Sequence, residues 1–173
     1  MRGTYMKKET TIRIAFTGVL MAMNIALSSF GVPVPGGHLY LCDIVICLAA
    51  LLLNPLEAFV ACGVGSFLGD LIFYPAPMFV SLVTHGIQGV VISLIAQKTL
   101  KKHPLSAQII AVTIGAIIMV VGYTLGKIYV YSTKEYAIIK LPYEIAQAAI
   151  GAIVGLLLYH KARIGKLFRK YVK

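Results

Sequence analysis

The most constraining feature of this chain is a series of six apolar stretches that leave no room for a soluble domain. Hydrophobic residues make up 59% of the 173 residues and charged residues only 13%, whereas soluble domains are about half apolar and a quarter charged. We therefore predict an all-α integral membrane protein, a single domain over residues 1–173. Its bundle of six transmembrane helices would cover residues 11–30, 39–53, 57–73, 78–97, 105–131 and 142–159.

Two of these stretches are short for a bilayer helix, which needs about 20 residues. Residues 39–53 and 57–73 flank Asn54-Pro55, a turn signal. They are open to two interpretations, as two transmembrane helices or as one re-entrant hairpin. The other connections are predicted to be loops, among them a Gly/Pro-rich segment at 31–38 and a segment of mixed charge at 132–141.

The net charge of +10 comes mostly from basic residues that a six-span topology places on one side of the membrane. These residues are Arg2, Lys7, Lys8, Arg13, Lys98, Lys101, Lys102, Lys161, Arg163, Lys166, Arg169, Lys170 and Lys173. The positive-inside rule then predicts that both termini are cytoplasmic, and the protein is expected in the plasma membrane. This distribution argues against nucleic acid as the partner. The basic tail is interpreted either as a solvated segment or as one that contacts anionic lipid headgroups.

Polar side chains gather at the opposite end of the apolar stretches, where basic loops are absent. They are Asn24, Ser28, Asp43, Ser66, Asp70, Ser81, Thr84, His85, Gln88, Tyr123, Lys127, Glu144 and Gln147. Polar groups inside a membrane are costly and usually functional. The pattern predicts a small-molecule pocket that opens on the outer side.

The residues predicted to bind the substrate are His38, Tyr40, Asp43, Thr84, His85, Gln88, Tyr123, Lys127, Glu144 and Gln147. Helical spacing supports the set, since Thr84, His85 and Gln88 share one face. Lys127 and Glu144 are equally consistent with interfacial charges that snorkel. Asp43 is equally consistent with a carboxylate at a helix start, and a structural role is favoured for Asp70.

The outer tyrosines and charges bear on the kind of ligand. An aromatic belt at the membrane boundary explains most of the tyrosines near the outer boundary, with stacking of one or two on an aromatic ligand as the alternative. These tyrosines are Tyr40, Tyr74, Tyr129, Tyr131, Tyr136 and Tyr143. With neutral histidines, Asp43, Asp70 and Glu144 stand against Lys127, so the pocket predicts a neutral or weakly basic aromatic ligand. Lys134 and Lys140 are assigned to the outer loop and oppose this inference.

No pattern typical of an enzyme is present. The sequence has no nucleophile–base spacing, no Walker motif and no metal-ligand spacing, and its three cysteines form no CxxC. No cofactor or metal is therefore predicted. The inner half of the predicted bundle is almost entirely apolar, which argues against a channel or a carrier with a midplane site.

Two further segments suggest moving or docking parts. The loop 31–37 holds two prolines and three glycines and is expected to act as a lid over the pocket. Gly18, Ala22 and Ala26 recur at four-residue spacing, which lets helix backbones approach closely. This face serves either packing within the bundle or docking of another membrane subunit.

Three short motifs of the sequence resemble those of a known family. The motifs GGHLYLCD at 36–43, Asn54-Pro55 and GVGSFLGD at 63–70 resemble S components of energy-coupling factor (ECF) vitamin transporters. The closest branch is the one assigned to hydroxymethylpyrimidine or pyridoxine.

The resemblance implies a six-helix vitamin-capture protein that partners a transmembrane T subunit and two cytoplasmic ATPases. It also implies a substrate site beneath the first loop, without a cofactor, and a small-residue motif in the first helix that contacts the T subunit. Ala22 and Ala26 match that motif, and Gly18 with Ala22 is a close variant. The alternatives are a membrane scaffold or assembly protein, and an S component for another vitamin such as pantothenate.

Overall fold

The computed structural model describes residues 2–35, 37–98 and 103–172, and most of them are helical. The α-helices are α1 (Arg2–Ser28), α2 (Cys42–Leu52), α3 (Pro55–Ala58), α4 (Gly65–Phe73), α5 (Met78–Lys98), α6 (Pro104–Gly126), α7 (Lys134–His160) and α8 (Ile164–Val172). A π-helical segment, Phe59–Val64, joins α3 to α4, and another, Lys127–Tyr131, extends α6. Residues 99–102 of the predicted basic segment lie outside the described residues, as do Met1, Gly36 and Lys173.

Within the described residues, five helical segments are long and apolar enough to cross a membrane. They are Glu9–Ser28, Pro55–Phe73, Met78–Gln97, Pro104–Tyr131 and Lys134–His160. The stretch 39–53 differs, because its helix α2 has only 11 residues. At 1.5 Å per residue it is about 16 Å long, well short of a hydrocarbon core of about 30 Å.

Helix α2 lies in the centre of the protein. Ten of its residues are buried, and it packs against α1, α5 and α7. A helix that is apolar on nearly every side is a core helix when it is too short to span the membrane. Glycines allow the close approach of α7, since a Cβ added at Gly155 would lie 2.8 Å from the Cβ of Cys47.

The first connection is a β-hairpin rather than the predicted irregular loop. Strands β1 (Gly31–Val34) and β2 (Gly37–Tyr40) pair antiparallel, with Gly31 opposite Tyr40 and Val34 opposite Gly37. Proline is accepted at the edge of a sheet, so Pro33 does not prevent pairing. Gly37 has a φ of 130°, a conformation that glycine adopts without steric cost.

Another predicted boundary, the start of the last membrane helix, was wrong. Residues 134–141 are helical, because Thr133 caps α7 by accepting a hydrogen bond from the Tyr136 amide and Glu135 lies in the first turn. Pro142 therefore lies inside α7 instead of starting it. The basic tail after α7 contains a further helix, α8.

The chain direction gives the bundle two distinct ends. We call the end that carries the β-hairpin the hairpin end. The opposite end, called the basic end, carries α8, the Arg13–Glu57 ion pair at 2.8 Å and a 2.7 Å hydrogen bond between Gln108 and His160. Glu57 also forms a capping box with Asn54 at the start of α3.

Candidate functional site

A cavity of about 290 Å³ lies at the hairpin end, beneath the β-hairpin. Four parts of the chain build it: strand β2, the end of α4 with the following loop, the end of α6 with its π-helical extension, and the first turns of α7. Its lining residues are Gly37, His38, Tyr40, Asp70, Phe73, Tyr74, Pro77, Tyr123, Lys127, Tyr131, Tyr136 and Lys140.

Aromatic side chains dominate the walls of this cavity. Tyr40, Tyr74, Tyr131 and Tyr136 belong to the tyrosines that the sequence placed near the outer boundary, and all four line it. Burial raises the pKa of the Tyr40 phenol, and the nearby Asp70 carboxylate raises it further, so Tyr40 remains a neutral hydrogen-bond donor. Tyr129, by contrast, is 79% exposed, as expected for a member of an aromatic belt.

Asp70 reaches the cavity from α4 and is held by its neighbours. Its carboxylate accepts a hydrogen bond from the Ser81 hydroxyl, and Ser81 Oγ lies 2.5 Å from Tyr123 Oη. This chain of hydrogen bonds fixes one acid and one phenol side by side on the wall. Asp70 therefore has the structural contacts that the sequence favoured and also lines the cavity.

Lys127, which lines the cavity, forms a buried ion pair with Glu144. Their side chains are only 1% and 3% exposed, so they do not snorkel to water. Lys127 Nζ also lies 3.3 Å from the Tyr123 carbonyl oxygen and 5.5 Å from the Tyr123 ring centroid. Within the described part of the chain, Glu144 Oε2 has no hydrogen-bond partner.

Gln147 connects the hairpin to the core. Its Oε1 accepts a 2.9 Å hydrogen bond from the Tyr40 amide, and its Nε2 donates a 2.6 Å hydrogen bond to Asp43 Oδ2. Asp43 is 1% exposed and lies against Gly151, where an added Cβ would come within 2.6 Å of the Asp43 Cβ. Gln147 and Asp43 therefore lie behind the cavity and support β2.

The polar face of α5 is also buried behind the lining. His85 Nδ1 and Gln88 Oε1 are 2.7 Å apart, and the His85 ring lies 5.3 Å from the Tyr123 ring. Thr84 faces α6, because a Cβ at Gly122 would lie 2.5 Å from its hydroxyl oxygen. These side chains contact residues of the wall rather than the cavity itself.

The predicted binding residues thus divide into two layers. His38, Tyr40, Tyr123 and Lys127 line the cavity, whereas Asp43, Thr84, His85, Gln88, Glu144 and Gln147 are buried beside it. The lining residues missed by the prediction include Tyr136 and Lys140. The signal for these two was their spacing, because Tyr136, Lys140, Glu144 and Gln147 recur at steps of four, four and three on α7.

Lys140 changes the charge of the site from that predicted. It lines the cavity, with Nζ 6.0 Å from the Tyr40 ring centroid, and it forms no ion pair with any described residue. The Lys127–Glu144 pair is neutral as a unit, so Asp70 and Lys140 leave the lining with no net charge. Among the described residues, no cluster of histidine, cysteine or acidic side chains is placed to hold a metal ion.

The small residues of α1 lie on its outer surface. Gly18, Ala22 and Ala26 are exposed, and an added Cβ at Gly18 would meet no atom within 4 Å. In contrast, a Cβ at Gly65 or Gly69 would come within 3.0 Å of side-chain atoms of α1. The exposed stripe therefore does not pack within the bundle, whereas the α4 glycines do.

Comparison with known proteins places these features in a family. A family model described as the S component of the ECF-type riboflavin transporter matches residues 8–163. A protein from Pyrococcus woesei, described as an uncharacterized protein in gap 3'region, is 33% identical over 136 residues. That alignment covers 78% of this chain and 89% of the Pyrococcus protein. The matched residues of the family model include every residue that lines the cavity.

Proposed function

The chain belongs to the S-component family of ECF-type riboflavin transporters, and we propose that its cavity captures a neutral or weakly basic aromatic vitamin. Membership makes it a substrate-binding subunit of a membrane vitamin transporter, and the family is one of transporters rather than enzymes. The cavity between the hairpin and three membrane segments, α4, α6 and α7, is the observation that carries the proposal. Its aromatic walls suit a flat ring.

The balance of charge in the lining supports a ligand without a net negative charge. Asp70 and Lys140 offset each other, and Glu144 neutralises Lys127. A carboxylate on the ligand would need a second uncompensated cation to offset its loss of hydration. The predicted excess of negative charge counted Asp43, which is buried behind the cavity, and assigned Lys140 to the outer loop. The corrected balance leads to the same class of ligand.

The size of the cavity favours a compact ligand. Small-molecule sites commonly measure about 300–1,000 Å³, and a volume of about 290 Å³ lies at the lower end. Single-ring vitamins such as hydroxymethylpyrimidine and pyridoxine are therefore the first candidates. Riboflavin is the second, because the family is named for it and it is aromatic and uncharged.

The proposed orientation puts the basic end in the cytoplasm and the hairpin end outside. Exposed cations at the basic end, such as Lys161 and Arg163, support it through the positive-inside rule. The exposed stripe of Gly18, Ala22 and Ala26 then offers a smooth helix surface to a transmembrane T subunit. Two cytoplasmic ATPases would supply the energy for uptake.

Isothermal titration calorimetry of the purified chain tests the proposal. The panel consists of hydroxymethylpyrimidine, pyridoxine, riboflavin, pantothenate and folate. We expect tightest binding by one of the first three and no ATP hydrolysis by the chain alone. Tightest binding by pantothenate or folate would overturn the charge argument, and failure of every vitamin to bind would favour a scaffold or assembly role.

A further inference from the structure

Helix α8 is anchored to the basic end of the bundle by one side only. Gly165, Phe168 and Val172 are buried. The Phe168 ring meets the Phe16 ring edge to face at a centroid distance of 5.1 Å. An added Cβ at Gly165 would lie 2.6 Å from the Tyr159 ring. The helix is therefore held close to the bundle, and its other sides are exposed.

The exposed sides of α8 divide into an apolar and a basic part. Leu167 and Tyr171 are each 51% exposed and lie one turn apart, next to the buried side. Lys166, Arg169 and Lys170 are exposed on the remaining arc. A helix with an apolar face and a Lys/Arg-rich face is typical of a segment that lies in the membrane interface.

The connection to α7 places α8 at the depth of the lipid headgroups. Only Lys161, Ala162 and Arg163 separate the two helices, which limits their separation to about 10 Å along the chain. Arg163 has a φ of 59° and turns the chain sharply. Because α7 is long enough to cross the membrane, α8 begins within about 10 Å of the end of a membrane-spanning helix.

We propose that α8 binds anionic lipids, with Lys166, Arg169 and Lys170 contacting their headgroups while Leu167 and Tyr171 enter the adjoining acyl region. From 161 to 172 the chain has five cations and no carboxylate, so the surface is complementary to negative charge. Two exposed apolar side chains are far less than the roughly 800 Å² per partner that a stable protein interface buries. Anionic lipid headgroups therefore fit this surface better than a partner protein does.

Tryptophan fluorescence gives a direct test, because the chain contains no tryptophan. The Tyr171→Trp variant is reconstituted in nanodiscs of phosphatidylcholine that contain a small, fixed fraction of brominated lipid. Brominated phosphatidylglycerol is compared with brominated phosphatidylcholine at the same fraction. Each Lys or Arg near an anionic surface changes binding roughly five-fold, so we expect the anionic lipid to be enriched around the indole at least about five-fold.

Two controls make the result specific to α8. Removing the three cations from the Tyr171→Trp variant should abolish the difference in quenching between the two lipids. The substitutions are Lys166→Gln, Arg169→Gln and Lys170→Gln, made together. Tyr129→Trp, at the hairpin end, should show equal quenching by both lipids. The proposal would be overturned if both lipids quenched Tyr171→Trp equally or if neither quenched it. It would also be overturned if quenching were lost when the T subunit and ATPases are added, because that result would indicate a protein partner.

Discussion

The buried ion pair between Lys127 and Glu144 makes a sharp prediction about stability. Both side chains are nearly inaccessible, so the substitution Lys127→Met would leave a carboxylate buried without its partner. Breaking such a pair costs about 3–5 kcal/mol. For a chain of this length, each kcal/mol corresponds to about 2–4 °C in melting temperature, so we expect a loss of about 6–20 °C.

The assay is thermal unfolding of the purified protein in detergent, followed by circular dichroism. The matched control is Arg13→Gln, which breaks an ion pair whose side chains are 26% and 19% exposed. Such a partly solvated pair contributes about 1 kcal/mol or less, so the control should lose no more than about 4 °C. The double variant Lys127→Met with Glu144→Met should recover most of the loss, because no unpaired charge remains.

Two results would refute this reasoning. If the melting temperature of Lys127→Met fell no further than that of Arg13→Gln, the buried pair would contribute no more to stability than a solvated one. If the double variant melted as low as the single variant, the loss would come from packing rather than from the unpaired charge. Ligand binding is measured separately, because Lys127 also lines the cavity.

Three further predictions concern the hairpin, the stripe on α1 and the orientation. Gly37→Ala should speed ligand release roughly five-fold or more, since its φ is 130° and the new Cβ would lie 2.8 Å from Tyr136 Oη; unchanged release in stopped-flow measurements would contradict a lid. Gly18→Trp should abolish co-purification with the T subunit and leave vitamin binding intact, because a Cβ added at Gly18 would meet no atom within 4 Å. Loss of both co-purification and vitamin binding would indicate a packing role. An impermeant maleimide should label Tyr129→Cys on intact cells but Arg169→Cys only after permeabilisation, and the reverse would overturn the orientation. The native cysteines are buried and should give little background.

The membrane segments were predictable because apolar length is a local property of the sequence. Four of the predicted spans and the stretch 57–73 correspond to the five long apolar segments. The stretch 39–53 was harder to assign, since a helix buried among other helices and one facing lipid are equally apolar. The 11-residue length of α2 and its packing against α1, α5 and α7 identify it as the buried kind of helix.

The errors at element ends have local causes. The hairpin was missed because Pro33 argues against a strand unless the strand lies at an edge. The start of α7 was missed because Pro142 was given more weight than the capping residue Thr133 and the acidic Glu135. The second error mattered for the site, because it assigned Tyr136 and Lys140 to a loop and so left them out of the predicted pocket.

The division of the polar residues into lining and support could not be derived from helical faces, because both layers share the same faces. On α7, Lys140 lines the cavity, whereas Gln147, less than two turns further, holds Tyr40 and Asp43. This difference in depth depends on where β2 crosses the bundle. A residue that supports the site should therefore affect folding and binding together, whereas a lining residue at the rim should affect binding alone.

Tyr74 and Gln147 test this distinction. Tyr74→Ala removes a half-exposed aromatic wall, so affinity should fall about two- to ten-fold with little change in melting temperature. Gln147→Ala leaves the Tyr40 amide and one Asp43 oxygen without partners, each at a cost of about 1–3 kcal/mol. It should lower the melting temperature by at least about 4 °C together with affinity. If Gln147→Ala weakened binding without lowering stability, Gln147 would act on the ligand itself, and the cavity would extend deeper than its described lining.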